Sequence, residues 1–153
     1  MRKIEETNCV VYGEGHFNIA RDELAGLREL IETTPEATAR EKNGYLFQVV
    51  FHLQEGNHEL YTFLDSNHNT ELEQSFKAEL SILSGAVDGY LTWMSEDFIP
   101  GIMKDDLWER LQLGNLQSFD DGKDGIFKIE DNLNKLIEVL GKIRKLPDRN
   151  LPD

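Results

Sequence analysis

Between Tyr45 and Leu53 the side chains alternate in a way that narrows what the chain can build. Tyr45, Phe47, Val49, Phe51 and Leu53 fall on one side of an extended backbone, with Leu46, Gln48, Val50 and His52 on the other. Period two is the period of a strand, and both faces begin apolar, which suits a central strand covered on both sides. Glu55, Gly56 and Asn57 supply a three-residue turn, and Glu59 to Leu64 returns as the partner strand. Residues 45–64 are therefore predicted as an antiparallel hairpin.

The remaining elements are placed by periodicity and by Gly and Pro. Asn8 to Tyr12 is a short β-branched run closed by Gly13, Glu14 and Gly15, which reads as a strand and a turn. A helix capped by Asn18 follows, with Ala20, Leu24, Leu27 and Ile31 on one face, until Pro35 stops it. Thr34, Pro35 and the terminal Gly44 frame a short second helix over 36–42. Thr70 and Glu73 match a capping box at the start of a long helix, in which Leu72, Phe76, Leu80, Leu83, Val87 and Leu91 trace the apolar stripe and Glu71, Glu73 and Glu79 face away. Gly85 and Gly89 are candidate ends or kinks of that helix. Beyond Pro100-Gly101 come a short amphipathic helix over 105–113, an Asp- and Gly-rich loop over 118–125, a strand at Ile126 to Ile129, and a last helix carrying Leu133, Leu136, Ile137, Leu140 and Ile143, with Pro147 and a frayed tail at 148–153. The expected fold is one globular α+β domain over residues 1–153, a small antiparallel sheet around the 45–64 hairpin packed by three to five helices.

Charge is distributed unevenly over this plan. Residues 43–103 hold nine acids, Glu55, Glu59, Asp65, Glu71, Glu73, Glu79, Asp88, Glu96 and Asp97, against one base, Lys77. That segment carries −8 of the net −13, and the flanks are nearly balanced. A field of one sign repels nucleic acid and anionic membranes and attracts cationic partners. The N-terminal sequence has no apolar stretch after its positive residues and no secretory-signal pattern, and the longest apolar region is far short of the roughly 20 residues that span a bilayer. The lone Cys9 builds neither an intramolecular disulfide nor a thiolate zinc site. A cytoplasmic setting is the expectation.

Several local patterns bear on chemistry. Gly13-Glu14-Gly15 lies where a phosphate-binding loop would, but Asn18 occupies the third glycine position and Glu14 opposes a pyrophosphate. His52, His58 and His68 lie near one another in sequence, and His52 and His58 face each other only if the hairpin turn sets the register. Asp120 to Asp131 resembles a calcium loop but places Gly122 at the third position, Lys123 beside it, and the short Asp131 at the twelfth. No metal or cofactor is assigned on these patterns. Trp93, Phe98, Ile99 and Trp108 surround the Pro100-Gly101 break beside Glu96 and Asp97, where aromatic rings rimmed by carboxylates would hold Arg or Lys.

The function expected from these features is a non-enzymatic, acidic binding or inhibitor protein that neutralises a basic protein partner, in the manner of a toxin-immunity protein or a phage-type inhibitor of a nucleic-acid enzyme. Its partner-binding residues would be Glu55, Glu59, Asp65, Glu71, Glu73, Trp93, Glu96 and Asp97. The alternatives are a small metal-dependent or His-based hydrolase centred on the three histidines, and an adaptor or scaffold subunit, including a homodimer, that uses apolar helix faces.

Overall fold

The computed structural model describes residues 4–100 and 126–147. Within them no strand occurs, and the α+β expectation is overturned. The chain forms helix α1 (Ile4–Thr33), α2 (Ala39–Asp65), the single turn α3 (Glu71–Gln74), α4 (Lys77–Trp93) continued by a π-helical turn (Met94–Phe98), and α5 (Glu130–Arg144).

Buried residues explain why helix wins where a hairpin was predicted. In α2, buried Leu46, Val49, Leu53, Gly56, Leu60 and Phe63 are separated alternately by three and four residues, with Lys42 and Asn57 also buried. This is the helical seam spacing, whose interior face recurs every half-heptad. Phe47, Phe51 and Tyr61 lie on a second stripe of the same helix and are exposed. The apparent period of two arises because Tyr45, Phe47, Val49, Phe51 and Leu53 combine members of different helical faces. Glu55-Gly56-Asn57 is helix interior, not a turn, and the 36–42 helix begins later, at Ala39 behind the Thr38 cap, and runs through Gly44.

The same spacing organises the rest. In α1, Val10, Gly13, Phe17, Ala20, Leu24 and Leu27 are buried, so the expected strand at 8–12 and its glycine turn are both part of a 30-residue helix. Asn18 caps nothing; its amide donates to the Glu14 carbonyl at 3.0 Å. Cys9 is buried, its thiol donating to the Glu6 carbonyl at 3.2 Å. In place of the strand at 126–129, Ile126 and Phe127 are helical, and these two side chains and Ile129 enter the core ahead of α5, where Leu133, Leu136, Leu140 and Ile143 continue the seam. The predicted Thr70–Glu73 capping box is present, but Glu73 is 0% exposed rather than facing solvent, and Leu72 is exposed rather than on the stripe. α4 runs unbroken through Gly85 and Gly89. The predicted helix at 105–113, the 118–125 loop, the first six positions of the calcium-like pattern and the 148–153 tail lie outside the described residues.

Packing closes the helices into a ring, α1 on α2, α2 on α4, α4 on α5 and α5 on α1. Specific contacts fix their directions. Glu6 at the start of α1 accepts from Ser66, just past the end of α2, at 3.1 Å. Asn57 and Ser84 join α2 to α4 at 2.7 Å. Glu14 pairs with Arg144 at 2.7 Å while Arg28 pairs with Glu130, which sets α1 against α5 head to tail. The result is an up-down-up-down four-helix bundle with its core along the axis.

The α1–α2 seam is tightest at Gly56 and at Gly26, where a Cβ would sit 2.6 Å from the Tyr45 ring. A Cβ on Gly56 would sit 2.8 Å from the Phe17 ring, and one on Gly13 would sit 3.4 Å from the Glu59 Cβ. Gly85, by contrast, has nothing within 4 Å of a built Cβ. Gly85→Ala should therefore stabilise the protein by up to about 1 kcal/mol through helix propensity. Gly56→Ala should destabilise it, because overpacking costs about 1–3 kcal/mol. Denaturant unfolding of the two variants gives opposite signs if the seam is correct; equal stabilisation would contradict it.

Candidate functional site

The solvent side of α2 carries the features that the core does not use. Phe47, Phe51 and Tyr61 are 46%, 49% and 41% exposed, and with Gln54, His58 and Asp65 they follow a three-four spacing along one outward stripe. Residues 43–76 contain no Lys or Arg. Of the flanking bases, Lys42 is 1% exposed and the Lys77 ammonium donates to the Ser66 carbonyl at 3.0 Å, while Arg40 in the first turn of α2 is exposed. Arg28 of α1 and Arg144 of α5 are engaged in the interhelical ion pairs. By helix, α1 carries seven acids against two bases, α2 four against two and α4 two against one, so acidic charge is spread over the bundle and not confined to one half.

One edge of the stripe is the outer groove between α1 and α2. His16 of α1 meets His52 of α2 there, Nδ1 to Nδ1 at 3.0 Å, with ring centroids 5.2 Å apart. Burial, and then the neighbouring His16, hold the His52 imidazole below its ordinary pKa, against the opposing pull of Glu23 and Glu55. Glu59 lies in the same groove and is pushed up, first by burial, with His58 and His16 acting the other way. Exposed Tyr12 and Ile19 are one helical turn from His16 on either side, and the Phe51 ring stands edge-on to His52 at 5.0 Å.

The other edge is a polar network joining α2 to α4. Ser84 donates to the Asn57 side-chain carbonyl at 2.7 Å, Asn57 donates to Asp88 at 2.8 Å, and the Tyr61 hydroxyl donates to the same carboxylate. Asn57 and Ser84 are both buried, so their mutual pairing satisfies groups that would otherwise be costly to leave in the core, and it fixes the α2–α4 register. The bond to Asp88 is the main reason the Tyr61 phenol titrates above its ordinary value, with burial second.

Of the residues expected from sequence, Glu55 and Glu59 line the α1–α2 groove, and Asp65 and Glu71 lie near each other in sequence around the loop that leaves α2. Glu73 is buried in its capping box and presents nothing to a partner. Glu96 and Asp97 are exposed on the π-helical turn, at the end of α4 away from Lys77, a separation of about 28 Å at 1.5 Å per residue. Trp93 is partly buried, stacking between Tyr90 at 5.8 Å and Phe98 at 5.3 Å, and it borders a cleft of about 460 Å³ with Gly89, Lys128, Ile129 and Asn132. The eight residues therefore do not form one patch. His52, His58 and His68 do not converge either: His52 pairs with His16, His58 is exposed, and His68 contacts Glu6 at 2.8 Å. Among the described residues, no group of three or more His, Cys, Asp and Glu is placed to hold a metal ion. Sequence reasoning missed His16 and the Phe47–Phe51–Tyr61 stripe; counting in threes and fours instead of twos would have found the stripe.

Tyr61 provides a pH test. Its bond to Asp88 supports the fold below the ordinary phenol value of about 10 and is lost as pH rises through the raised value. Spectrophotometric titration should show one phenol ionising at lower pH in Asp88→Asn than in the parent chain, and coincident curves would rule out the network. No helix among the described residues is long and apolar enough to cross a membrane. No protein-family model, curated protein or solved structure matches the chain.

Proposed function

We propose that the protein is a non-enzymatic binding protein whose outward α2 face holds a basic segment of a protein partner. The observation that carries this reading is the exposure of three aromatic rings, Phe47, Phe51 and Tyr61, on the stretch of α2 over residues 43–65 that has no Lys or Arg. Aromatic side chains offer large contact area at low entropic cost, and desolvated rings beside carboxylates are favourable sites for guanidinium groups. Glu55 and Glu59 on one flank, Asp88 on the other and Asp65 at the end of the helix supply charge that steers a cationic partner and speeds its association. An immunity-type or inhibitor role, in which an acidic surface covers the basic phosphate-binding site of a nucleic-acid enzyme, fits this chemistry and remains part of the proposal. The hydrolase reading required the histidines to gather, and they do not.

The test compares the parent chain with Phe51→Glu and with paired Glu55→Lys and Asp65→Lys in affinity capture from the native host. A partner held by this face is basic, is released by moderate salt, and is lost from both variants while their thermal unfolding is unchanged. Phe51→Ala alone should weaken a purified complex by about 1–2 kcal/mol, roughly five- to thirtyfold in Kd. A captured partner that ignores salt and all these substitutions would refute the assignment of the face.

A further inference from the structure

The outward side of α4 carries a pattern that the bundle leaves unused. Ala78, Ile82, Ala86, Gly89 and Trp93 follow one another at intervals of four, four, three and four, so they share one helical stripe, with Gly85 beside it. Ile82 is 75% exposed. The helix runs unbroken through Gly85 and Gly89, although each glycine costs about 1 kcal/mol in a helix interior. Among the described residues nothing comes within 4 Å of a Cβ built on either one. Next to Gly89 a cleft of about 460 Å³ opens between α4 and the start of α5, with Trp93, Lys128, Ile129 and Asn132 on its walls.

The side-chain sizes along this stripe fit the same stripe reversed. Antiparallel pairing of two α4 helices about a two-fold axis between Gly85 and Ala86 sets Ile82 on Gly89 and Trp93 on Ala78, and Gly85 and Ala86 lie at the centre, where the backbones come closest. Each large side chain then meets a small one, whereas a parallel pair would set Ile82 on Ile82 and Trp93 on Trp93. The same axis keeps both α5 helices on one side of the α4 pair. Glu79, one turn before Ile82, is thereby brought to the rim of the other copy's cleft, where Lys128 lies. Charge also limits where two copies can meet, because chains of net charge −13 repel. From Ser81 to Ser95 the only charged residue is Asp88, and it is turned toward α2, where Asn57 and Tyr61 donate to it.

We infer that the outer stripe of α4 is a homodimer interface in which Ile82 of each copy enters the cleft beside the partner's Gly89 and Glu79 pairs with Lys128 of the partner subunit. The contact leaves the outward face of α2 open, so it is independent of the proposed basic partner.

Sedimentation velocity of the full chain over about a hundredfold range of concentration tests this. The interface predicts a reversible monomer–dimer equilibrium. Ile82→Glu should weaken self-association by more than about tenfold. Gly89→Leu should weaken it as well, although it adds apolar surface, because it fills the notch that receives Ile82. Lys128→Glu should weaken it, and adding Glu79→Lys to that variant should recover it. Phe51→Glu on α2 should leave it unchanged, which separates this contact from the partner-binding face. Ile82 and Gly89 are both exposed, and thermal unfolding of their variants at monomer concentration confirms that they fold. A monomer at every concentration, a dimer that survives Ile82→Glu, or stronger association of Gly89→Leu overturns the interface.

Discussion

The structure depends on how closely α1 can approach α2. Phe17 is fully buried with its ring against the bare backbone of Gly56, and one turn away Gly13 faces the Glu59 Cβ at ordinary contact distance. Core interiors are packed to crystal-like density, so a notch of this kind decides both the register and the distance of the pair. With that register set, Tyr45 lies on Gly26, His16 meets His52, and Glu6 reaches Ser66 and His68 at the end of the bundle. Each of these contacts follows from the same antiparallel alignment. The second hairpin and the closure by α5 are held by polar contacts of a different kind, a buried Asn57–Ser84 pair on one side and two Arg–Glu bridges on the other.

Once α2 commits its Leu46–Phe63 seam to the core, the residues between must point outward. Phe47, Phe51 and Tyr61 are therefore exposed by geometry and not by chance of composition, and the absence of bases from 43 to 76 leaves them on an acidic helix. Exposed aromatic rings are costly to a protein that does nothing with them, because they lend themselves to unwanted association. The proposed binding role connects the two facts: the seam creates the face, and the charge selects what meets it.

The sequence showed some of this clearly. The Thr70–Glu73 capping box, the stop at Pro35 and the last helix were legible because each has a local chemical cause: an orphan amide satisfied, a missing N–H, a dipole matched by Lys142 and Arg144. The hairpin at 45–64 was misread for an equally definite reason. A helix that is apolar on its core side and aromatic on its outer side has hydrophobic residues at nearly every second position for two turns, and β-branched Val49 and Val50 add to the resemblance. Glycines were the other source of error. Gly13 and Gly56 looked like turns, yet they are packing positions whose role depends on Phe17 and Glu59, residues distant in sequence. The acidic segment was legible as charge but not as a surface, because only the fold shows that Glu73 is buried and that Glu96 and Asp97 lie at the opposite end from Asp65.

The central claim is that residues 39–65 form one continuous helix whose Gly56 receives Phe17. Nuclear Overhauser measurements on isotopically labelled protein test it most directly. The account predicts helical carbon shifts without interruption from Ala39 to Asp65 and strong cross-peaks between the Phe17 ring protons and the Gly56 α-protons. Strand-type shifts over 45–53, with cross-strand contacts spanning Glu55 to Asn57, would contradict it.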